Sequence, residues 1–229
     1  MNLQEFLPKY REIKSRGFVP ITRKGDGKFG NTFEDLLGLD ENNLKTPDIE
    51  GYEIKVQNNT KSSLQTLFNK EGEWEIKKDD FIKIHGWERE KGEGELTCQA
   101  TITKTKNKRG FYLETDEKNL YVKINNEIAC KWNWKSLTKT FIEKFPSAIK
   151  VYGEEKKKNG KIYFHYNEAY LLKDTTESLF KQLIEDDIIS VDFRFYTRYN
   201  EGKGIRNRGT GFRIKENLLD KLFVKEVLI

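Results

Sequence analysis

The sequence predicts a mixed α/β protein, with a central mixed sheet flanked by helices and an additional β-rich part. Its 229 residues are enough for one sizeable domain or two small lobes with a proper core. Segments with apolar residues at helical spacing occur near both ends of the chain, whereas short segments of alternating apolar and polar residues fill residues 81–134. This order of elements is typical of a fold that combines helices with a sheet of mixed direction.

Two helices are predicted before residue 40. The first covers residues 2–15, where large apolar residues recur at helical spacing. The second lies in the segment GNTFEDLLGL, where Thr32 and Asp35 form a capping-box pattern at its start. Glu34 and Asp35 would then fall in the first turn, where the helix dipole favours acidic side chains.

The segment TPDIEGYEIKVQ, residues 46–57, contains the most informative charged residues. If residues 52–56 form a strand, Glu53 and Lys55 project from one face while Ile54 packs on the other. Gly51 allows a bend before this strand, so that the carboxylate of Asp48 can lie beside that of Glu53.

Two adjacent carboxylates repel each other unless a cation lies between them, and oxygen ligands of this kind suit Mg²⁺ or Mn²⁺. A lysine beside such a site can orient or help to deprotonate a water, which is the minimum needed for metal-assisted hydrolysis of a phosphodiester. The alternative is a half-exposed strand with solvated charges. In a chain with 34% charged residues, Glu-x-Lys triplets also arise by chance, as at residues 75–77 and 154–156.

Residues 81–134 predict consecutive hairpins in the segments FIKIHGW, ELTCQATITK, GFYLETD, NLYVKI and EIACKWNW. Such a meander, inserted after the strand that carries Glu53, could form one wall of a cleft. Lys108 and Arg109 lie in a strongly basic turn between two of these strands. The turn is either simply solvated or in contact with a nucleic-acid backbone.

The remaining chain returns to mixed structure. Helices are predicted at residues 134–145 and 175–185, and strands at residues 148–152 and 162–170. The last segment, KENLLDKLFVKEVLI, predicts an amphipathic helix and a tail that cover the core.

The segment IISVDFRFYTRYNEGKGIRNRGTGFRIK predicts an arginine-rich hairpin. Alternation places apolar residues on one face and polar residues on the other. The arginines concerned are Arg194, Arg198, Arg206, Arg208 and Arg213. Surface arginines are common, but a guanidinium group can also pair with guanine O6 and N7 or hold a phosphate. We therefore expect these arginines, together with Lys108 and Arg109, to contact DNA.

The net charge and the cysteine content indicate which partner and which cellular compartment suit this protein. The net charge of +5, from 42 basic and 37 acidic residues, suits a nucleic-acid partner without proving one. Cys98 and Cys130 have no metal-binding spacing, so we expect buried, reduced thiols in an intracellular protein. No apolar run has the length of a signal peptide core or a membrane span, and we expect neither export nor membrane insertion.

Three segments resemble a known family. Residues 30–34, GNTFE, then PDIEGYEIK and, far downstream, RNRGTGFR are similar to the MvaI/BcnI group of type II restriction endonucleases. That group is related to the mismatch-repair nicking enzyme MutH and belongs to the PD-(D/E)xK nuclease superfamily. The matched segments extend from about residue 30 to residue 213, and the strands between them resemble the family only in pattern.

The resemblance implies a restriction-endonuclease-like core and a role for each motif residue. Asp48, Glu53 and the carbonyl group of Ile54 would bind Mg²⁺, for which Mn²⁺ could substitute. Lys55 would position the attacking water, and Glu34 would support the metal or the lysine. Residues 1–80 and 135–229 would form a catalytic and DNA-binding lobe, and residues 81–134 the other wall of the DNA cleft.

The same resemblance implies a monomer that cuts double-stranded DNA at a short site of the CCNGG kind and leaves 5′-phosphate ends. Such an enzyme works in the cytoplasm of a prokaryotic cell, with a cognate DNA methyltransferase as companion. A MutH-like strand-nicking repair enzyme and a catalytically inert DNA-binding module remain as alternatives. A soluble α/β protein with no nucleic-acid role is a third.

Overall fold

The computed structural model describes residues 1–39, 49, 51–58, 63–90, 92–144 and 147–228, with the backbone alone for 93 and 225–228. The chain forms two compact units. The first unit comprises Met1–Ser63, Ile142–Thr176 and Lys215–Ile229, and the second comprises Leu64–Phe141 and Glu177–Ile214. The predicted inserted part, 81–134, therefore lies within a larger unit that also contains the arginine-rich hairpin. That these parts form two walls of a DNA cleft stays a prediction.

The helices and strands are as follows in chain order. The helices are α1 (Leu3–Ser15), α2 (Lys28–Leu37), α3 (Lys78–His85), α4 (Trp134–Lys144) and α5 (Glu177–Glu185). The strands are β1 (Val19–Pro20), β2 (Glu53–Asn58), β3 (Leu64–Asn69), β4 (Glu73–Trp74), β5 (Trp87–Arg89), β6 (Gly92–Ile102), β7 (Phe111–Thr115), β8 (Asn119–Ile124), β9 (Glu127–Asn133), β10 (Ala148–Lys158), β11 (Lys161–Lys173), β12 (Ile189–Arg198), β13 (Lys203–Asn207), β14 (Gly211–Lys215) and β15 (Val224–Leu228). Short 3₁₀ helices cover Tyr199–Glu201 and Glu216–Leu222.

The sheet of the first unit has the strand order β1-β11-β10-β2, and β15 also pairs with β11. Strand β2 runs parallel to β10, while the pairs that β11 makes with its neighbours are antiparallel. Ile54 and Ile149 belong to the apolar core that includes residues of α1 and α2. Because side chains alternate along a strand, burying Ile54 on this face directs Glu53 and Lys55 to the opposite face.

The second unit contains two sheets, one with the order β3-β14-β12-β6-β5 plus β13 on β12, and one with the order β4-β9-β8-β7. Its core is aromatic: the ring of Trp74 contacts those of Phe81, Phe193 and Phe195. Cys98 and Cys130 are free and buried, as predicted, and burial raises the pKa of the Cys98 thiol to about 12. In the described part of the chain, no helix is long and apolar enough to cross a membrane.

The start of α2 differs from the prediction. The helix begins at Lys28 after an N-cap at Gly27, so the predicted capping box of Thr32 and Asp35 is wrong. Thr32 is buried inside the helix, and Asp35 forms an ion pair with Arg23 at 2.7 Å instead. The tertiary contacts of these two side chains outweighed the local signal on which the prediction depended.

Two further elements were assigned to the wrong type. The segment FIKIHGW is mostly helical, because α3 begins upstream at Lys78 and carries two acids in its first turn. Gly86 ends this helix, and a Cβ atom there would lie 2.3 Å from the carbonyl oxygen of Ile82. At the carboxyl end, the predicted helix is a 3₁₀ helix followed by β15, which pairs with residues 169–173 of β11, the part of that strand which β1 does not use.

Candidate active site

Strand β2 brings Glu53 and Lys55 together on one face of the first unit's sheet. The Nζ atom of Lys55 donates to Oε1 of Glu53 at 2.8 Å. Glu53 is 3% exposed, whereas the Lys55 side chain is 19% exposed. The structure therefore contains a buried carboxylate hydrogen-bonded to a partly exposed lysine. The two side chains share one face, as the alternation of the sequence predicted.

A second cation lies on the other oxygen of the same carboxylate. The Nζ atom of Lys144, in the last turn of α4, is 2.8 Å from Oε2 of Glu53. Oε2 is buried, and this contact is an ion pair without hydrogen-bond geometry. Nothing in the local sequence singled out Lys144, although it ends the helix that precedes the strand paired with β2.

Of the other predicted residues of the site, the structure describes Glu34 and Ile54. Glu34 is half-buried on α2, which packs against β2, and it has an interaction partner. The side chain of Ile54 is in the core. Asp48 lies outside the described residues. Among the residues that the structure describes, no three His, Cys, Asp or Glu side chains form a metal-binding group.

The chemistry of Glu53 nevertheless fits a hard cation. Mg²⁺ and Mn²⁺ prefer carboxylate, carbonyl and water oxygens. Oε2 of Glu53 is a buried carboxylate oxygen that accepts no hydrogen bond from the described residues. A ligand set with Asp48 and the carbonyl group of Ile54 stays a prediction.

A buried charged network supports the sheet beside this site. Lys150 lies opposite Lys55 on the neighbouring strand and is 1% exposed. Its Nζ atom contacts Oδ1 of Asp220 at 2.5 Å and the carbonyl oxygen of Glu216 at 2.8 Å. The hydroxyl group of Tyr152 donates to Oδ2 of Asp220 at 3.2 Å. Because a buried ammonium group is stable only when it is paired, these contacts hold the 3₁₀ helix against the sheet.

The second unit presents a polar sheet face that carries the predicted arginines. Phe193 and Phe195 of β12 point into the aromatic core, so the alternating residues Asp192, Arg194 and Tyr196 lie on the opposite face. A cavity of about 240 Å³ opens on this face. Its lining residues are Gln99, Ala100, Thr101, Asp192, Phe193, Arg194, Arg208 and Arg213.

Two of the arginines on this face make structural hydrogen bonds. Arg194 donates through Nε to the carbonyl oxygen of Gly209 at 3.0 Å and through Nη2 to that of Arg208 at 3.2 Å. Its partial burial lowers the pKa of the Arg194 guanidinium group. Arg213 forms an ion pair with Asp192 at 2.6 Å. These two arginines hold the polar face together, and DNA contact through them stays a prediction.

Four of the other five predicted basic residues are exposed, and Arg198 is only 25% exposed. Arg206, Arg208 and Lys108 are exposed. The guanidinium carbon of Arg109 lies 4.4 Å from the ring centroid of Trp87. The Nη1 atom of Arg198 lies 3.8 Å from Oε2 of Glu201.

Arg89 extends this basic surface and was missed by the sequence analysis. Its guanidinium carbon lies 4.2 Å from the ring centroid of Tyr196, while that of Arg208 is 5.8 Å from the same ring. The position of Arg89 two residues after Trp87 on β5 was the sequence feature that could have identified it as part of this surface. The incorrect assignment of the preceding segment as a strand obscured it.

The loop RNRGTG is organised by Glu71, which the sequence analysis also missed. Oε1 of Glu71 accepts hydrogen bonds from Nδ2 of Asn207 at 2.9 Å and from the backbone of Thr210 at 3.0 Å. Burial opposes ionisation of Glu71, but the hydrogen bonds from Lys78 and Asn207 outweigh it and lower the pKa of this carboxyl group. Gly209 has φ +82°, which glycine adopts easily, and its N–H donates to Oδ1 of Asn207.

A mixed sheet with a buried acid bonded to a lysine, together with a sheet face rich in arginine, fits one class of protein, the DNA-cleaving hydrolases. The chain belongs to the MvaI/BcnI restriction endonuclease family, whose family model matches residues 7–223. It is therefore a site-specific deoxyribonuclease, and the resemblance found in the sequence is confirmed.

Two solved structures are similar over the whole chain. One, described as a complex of restriction endonuclease MvaI with cognate DNA substrate, is 26% identical with a TM-score of 0.79, and the match covers 100% of both chains. The other, MvaI in the absence of DNA, is 26% identical with a TM-score of 0.61, and the match covers 100% of this chain and 99% of that one. The predicted mixed α/β restriction-endonuclease fold is confirmed. No curated protein sequence matches the chain.

Proposed function

We propose that the protein is a type II restriction endonuclease that hydrolyses double-stranded DNA at a short specific site with the help of Mg²⁺. The observation that carries this proposal is the 2.8 Å contact between Lys55 and the buried carboxylate of Glu53 on β2. Family membership supports it, because this acid and lysine belong to the segment PDIEGYEIK, in which the sequence resembles the family.

The proposed metal ligands are Asp48, Glu53 and the carbonyl group of Ile54, with Mn²⁺ as a possible substitute for Mg²⁺. When bound, such a cation lowers the pKa of a water and stabilises the charge that develops on the phosphate. The carboxylate of Glu53 is buried and offers oxygen atoms as ligands, which supports this choice of metal.

Lys55 supplies the positive charge that the chemistry needs, and its side chain is 19% exposed. It would orient the attacking water and offset negative charge on the phosphate. The step forms a bond from the water oxygen to phosphorus and breaks the bond from phosphorus to the 3′ oxygen. The water gives up a proton and the 3′ oxygen takes one up, leaving 5′-phosphate and 3′-hydroxyl ends. Glu34, on the helix that packs against β2, would support the metal or the lysine.

The polar sheet face of the second unit would contact the DNA. Arg206 and Arg208 are both exposed. Arg208 lines the cavity, and Arg206 lies on β13, the strand that pairs with β12. A guanidinium group at these positions can pair bidentately with guanine. Lys108 and Arg109 would hold phosphates, with a smaller contribution from Arg198. A site of the CCNGG kind is compatible with guanine recognition. The similarity to MvaI, solved with its cognate DNA substrate, supports a double-stranded partner.

The proposal extends to the cell. We expect a monomer in the cytoplasm of a prokaryote, accompanied by a DNA methyltransferase that protects the same site. Family membership is the support for this setting.

Digestion of a supercoiled plasmid of mixed sequence with Mg²⁺ tests the activity. Discrete linear fragments would support restriction, and sequencing of the fragment ends would report the site, the cut position and the 5′-phosphate. Open circles alone would indicate a strand-nicking enzyme of the MutH kind. Intact plasmid that is nevertheless bound would indicate an inert DNA-binding module. The Glu53→Gln variant serves as the negative control.

A further inference from the structure

We propose that Lys144 is a positioning residue of the nuclease centre, which holds Glu53 through Oε2 and thereby weakens the attraction of that carboxylate for a divalent cation. The inference deepens the proposed function and rests on it for its catalytic part. Its electrostatic part depends only on the contact between Lys144 and Glu53.

The first step is geometric. Glu53 is bonded at Oε1 by Lys55 and paired at Oε2 by Lys144, and both Nζ–O distances are 2.8 Å. A carboxylate held at one oxygen can still turn about its side-chain torsions, whereas contacts at both oxygens fix the plane of the group. Lys144 therefore orients Oε2, the oxygen that accepts no hydrogen bond from the part of the chain that the structure describes.

The two lysines are not equivalent. Lys55 is two residues from Glu53 on the same strand, so its position follows from the pleat of β2. Lys144 comes from the last turn of α4, and its side chain is 25% exposed. Replacing Lys144 should therefore leave the hydrogen bond between Lys55 and Glu53 in place.

The second step is electrostatic. An ammonium group 2.8 Å from a carboxylate oxygen repels any divalent cation that approaches the same oxygen, and partial burial strengthens this repulsion. Removing the charge of Lys144 should make cation binding at Glu53 tighter. It should also leave the carboxylate less well oriented, which slows the reaction. The two effects have opposite signs, whereas loss of a merely structural contact would weaken both metal binding and cleavage.

The test compares Lys144→Met and Lys144→Gln, which remove the charge, with Lys144→Arg, which keeps it. Lys135→Met, an exposed lysine on the same helix, is the matched control. Binding of Mn²⁺ to the protein without DNA is followed by electron paramagnetic resonance. Single-turnover cleavage of a plasmid substrate at saturating Mg²⁺ gives the rate.

For Lys144→Met and Lys144→Gln we expect Mn²⁺ to bind about tenfold more tightly, and cleavage to slow by about 10- to 100-fold. Lys144→Arg should restore most of the rate, and Lys135→Met should match the wild type in both measurements. Thermal unfolding adds a readout without metal: the loss of melting temperature caused by Lys144→Met should be smaller in a Glu53→Gln background, because the charge–charge attraction between the two side chains is already absent there.

Unchanged or weaker Mn²⁺ binding in both uncharged variants would overturn the proposal, as would additive effects of the two substitutions on the melting temperature. If the wild type cleaves no DNA but Mn²⁺ binding tightens as expected, the proposed function fails and the role of Lys144 toward Glu53 stands. If Lys144→Met does not fold, Lys144→Gln and Lys144→Arg still separate the loss of charge from the loss of contact.

Discussion

The carboxylate of Glu53 shows how a single buried group depends on its neighbours. Burying a carboxylate is costly unless its charge is compensated, and Glu53 is compensated by one lysine from its own strand and another from α4. Lys55 is the more buried of the two lysines, yet 19% of its side-chain surface remains exposed to solvent. That combination of a fixed position and access is what a group that orients a water requires.

Replacing Lys55 with methionine should remove this function. We expect cleavage to slow by at least about 10²- to 10³-fold, because a group that stabilises developing charge is lost while most of its volume is kept. The dissociation constant for DNA in the presence of Ca²⁺ should change little. Single-turnover cleavage and a binding assay on the same substrate measure the two effects, with Lys135→Met as control. Cleavage at close to the wild-type rate would remove Lys55 from the site.

The site could be predicted from the sequence only where its residues are close along the chain. Alternation within β2 predicted that Glu53 and Lys55 share a face, and their hydrogen bond confirms it. Lys144 and Glu71 were missed because their partners are distant in sequence, and a short motif contains no information about which helix end or loop will pack against it. The function of each side chain in catalysis stays a prediction.

At the scale of elements, the loop RNRGTG is a rigid structure rather than a flexible turn. Asn207 and Thr210 donate to Glu71, while Arg194 donates to the carbonyl oxygens of Arg208 and Gly209. With the loop held from both sides, the exposed side chain of Arg208 extends from a fixed backbone. Pre-organisation of this kind lowers the entropic cost of contact with a partner.

Glu71→Gln should destabilise the protein in a pH-dependent manner. The folded-state pKa of Glu71 is lowered, so its contribution is fully present above the unfolded pKa and is lost as the pH falls through the folded pKa. Glu71 is 43% exposed, so we expect a modest loss of about 1 kcal/mol at pH 7 that diminishes as the pH falls through the lowered folded-state pKa of Glu71. Urea unfolding between pH 3 and 7 measures it. Glu73→Gln, at an exposed neighbour, should show no such trend, and an equal trend in both variants would contradict the assignment.

Arg208→Ala should weaken recognition of cognate DNA. Loss of one bidentate base contact typically costs about 1–3 kcal/mol, so we expect affinity to fall by about 10- to 100-fold together with relaxed site preference. Lys203→Ala, which removes an exposed cation at the other end of β13, is the matched control. Competition binding with cognate and non-cognate duplexes checks both effects. Equal affinity and preference in the variant would place Arg208 outside the interface.

Element types were predictable where the pattern was long. The strands from β6 to β9 and the pair β10 and β11 follow clear alternation, and α1 follows its apolar spacing with a capping box from Asn2 and Glu5. The errors occurred in short segments. Residues 81–87 contain apolar residues that fit a strand as well as a helix, and the upstream turn with Lys78 decides between them. The carboxyl-terminal strand depends on the free edge of β11, which local sequence does not show.

At the scale of the whole molecule, the small net charge of +5 conceals an uneven distribution. Arginines concentrate on the polar face of the second unit, so DNA binding should be strongly salt-dependent even though the total charge is small. For about six phosphate contacts, the slope of log affinity against log salt concentration should be about −5. Titrations with a non-cognate duplex at salt concentrations from about 50 to about 200 mM measure this slope. A flat response would contradict an electrostatic interface.

The interleaving of the two units along the chain limits how such an enzyme can change its target sequence. The backbone passes between the units after residues 63, 141, 176 and 214. A single recombination event between two relatives would therefore combine parts of both parents within one unit, and exchanging the complete second unit would require junctions at all these points. New specificities in this architecture should arise by substitution within the existing sheet face rather than by exchange of modules.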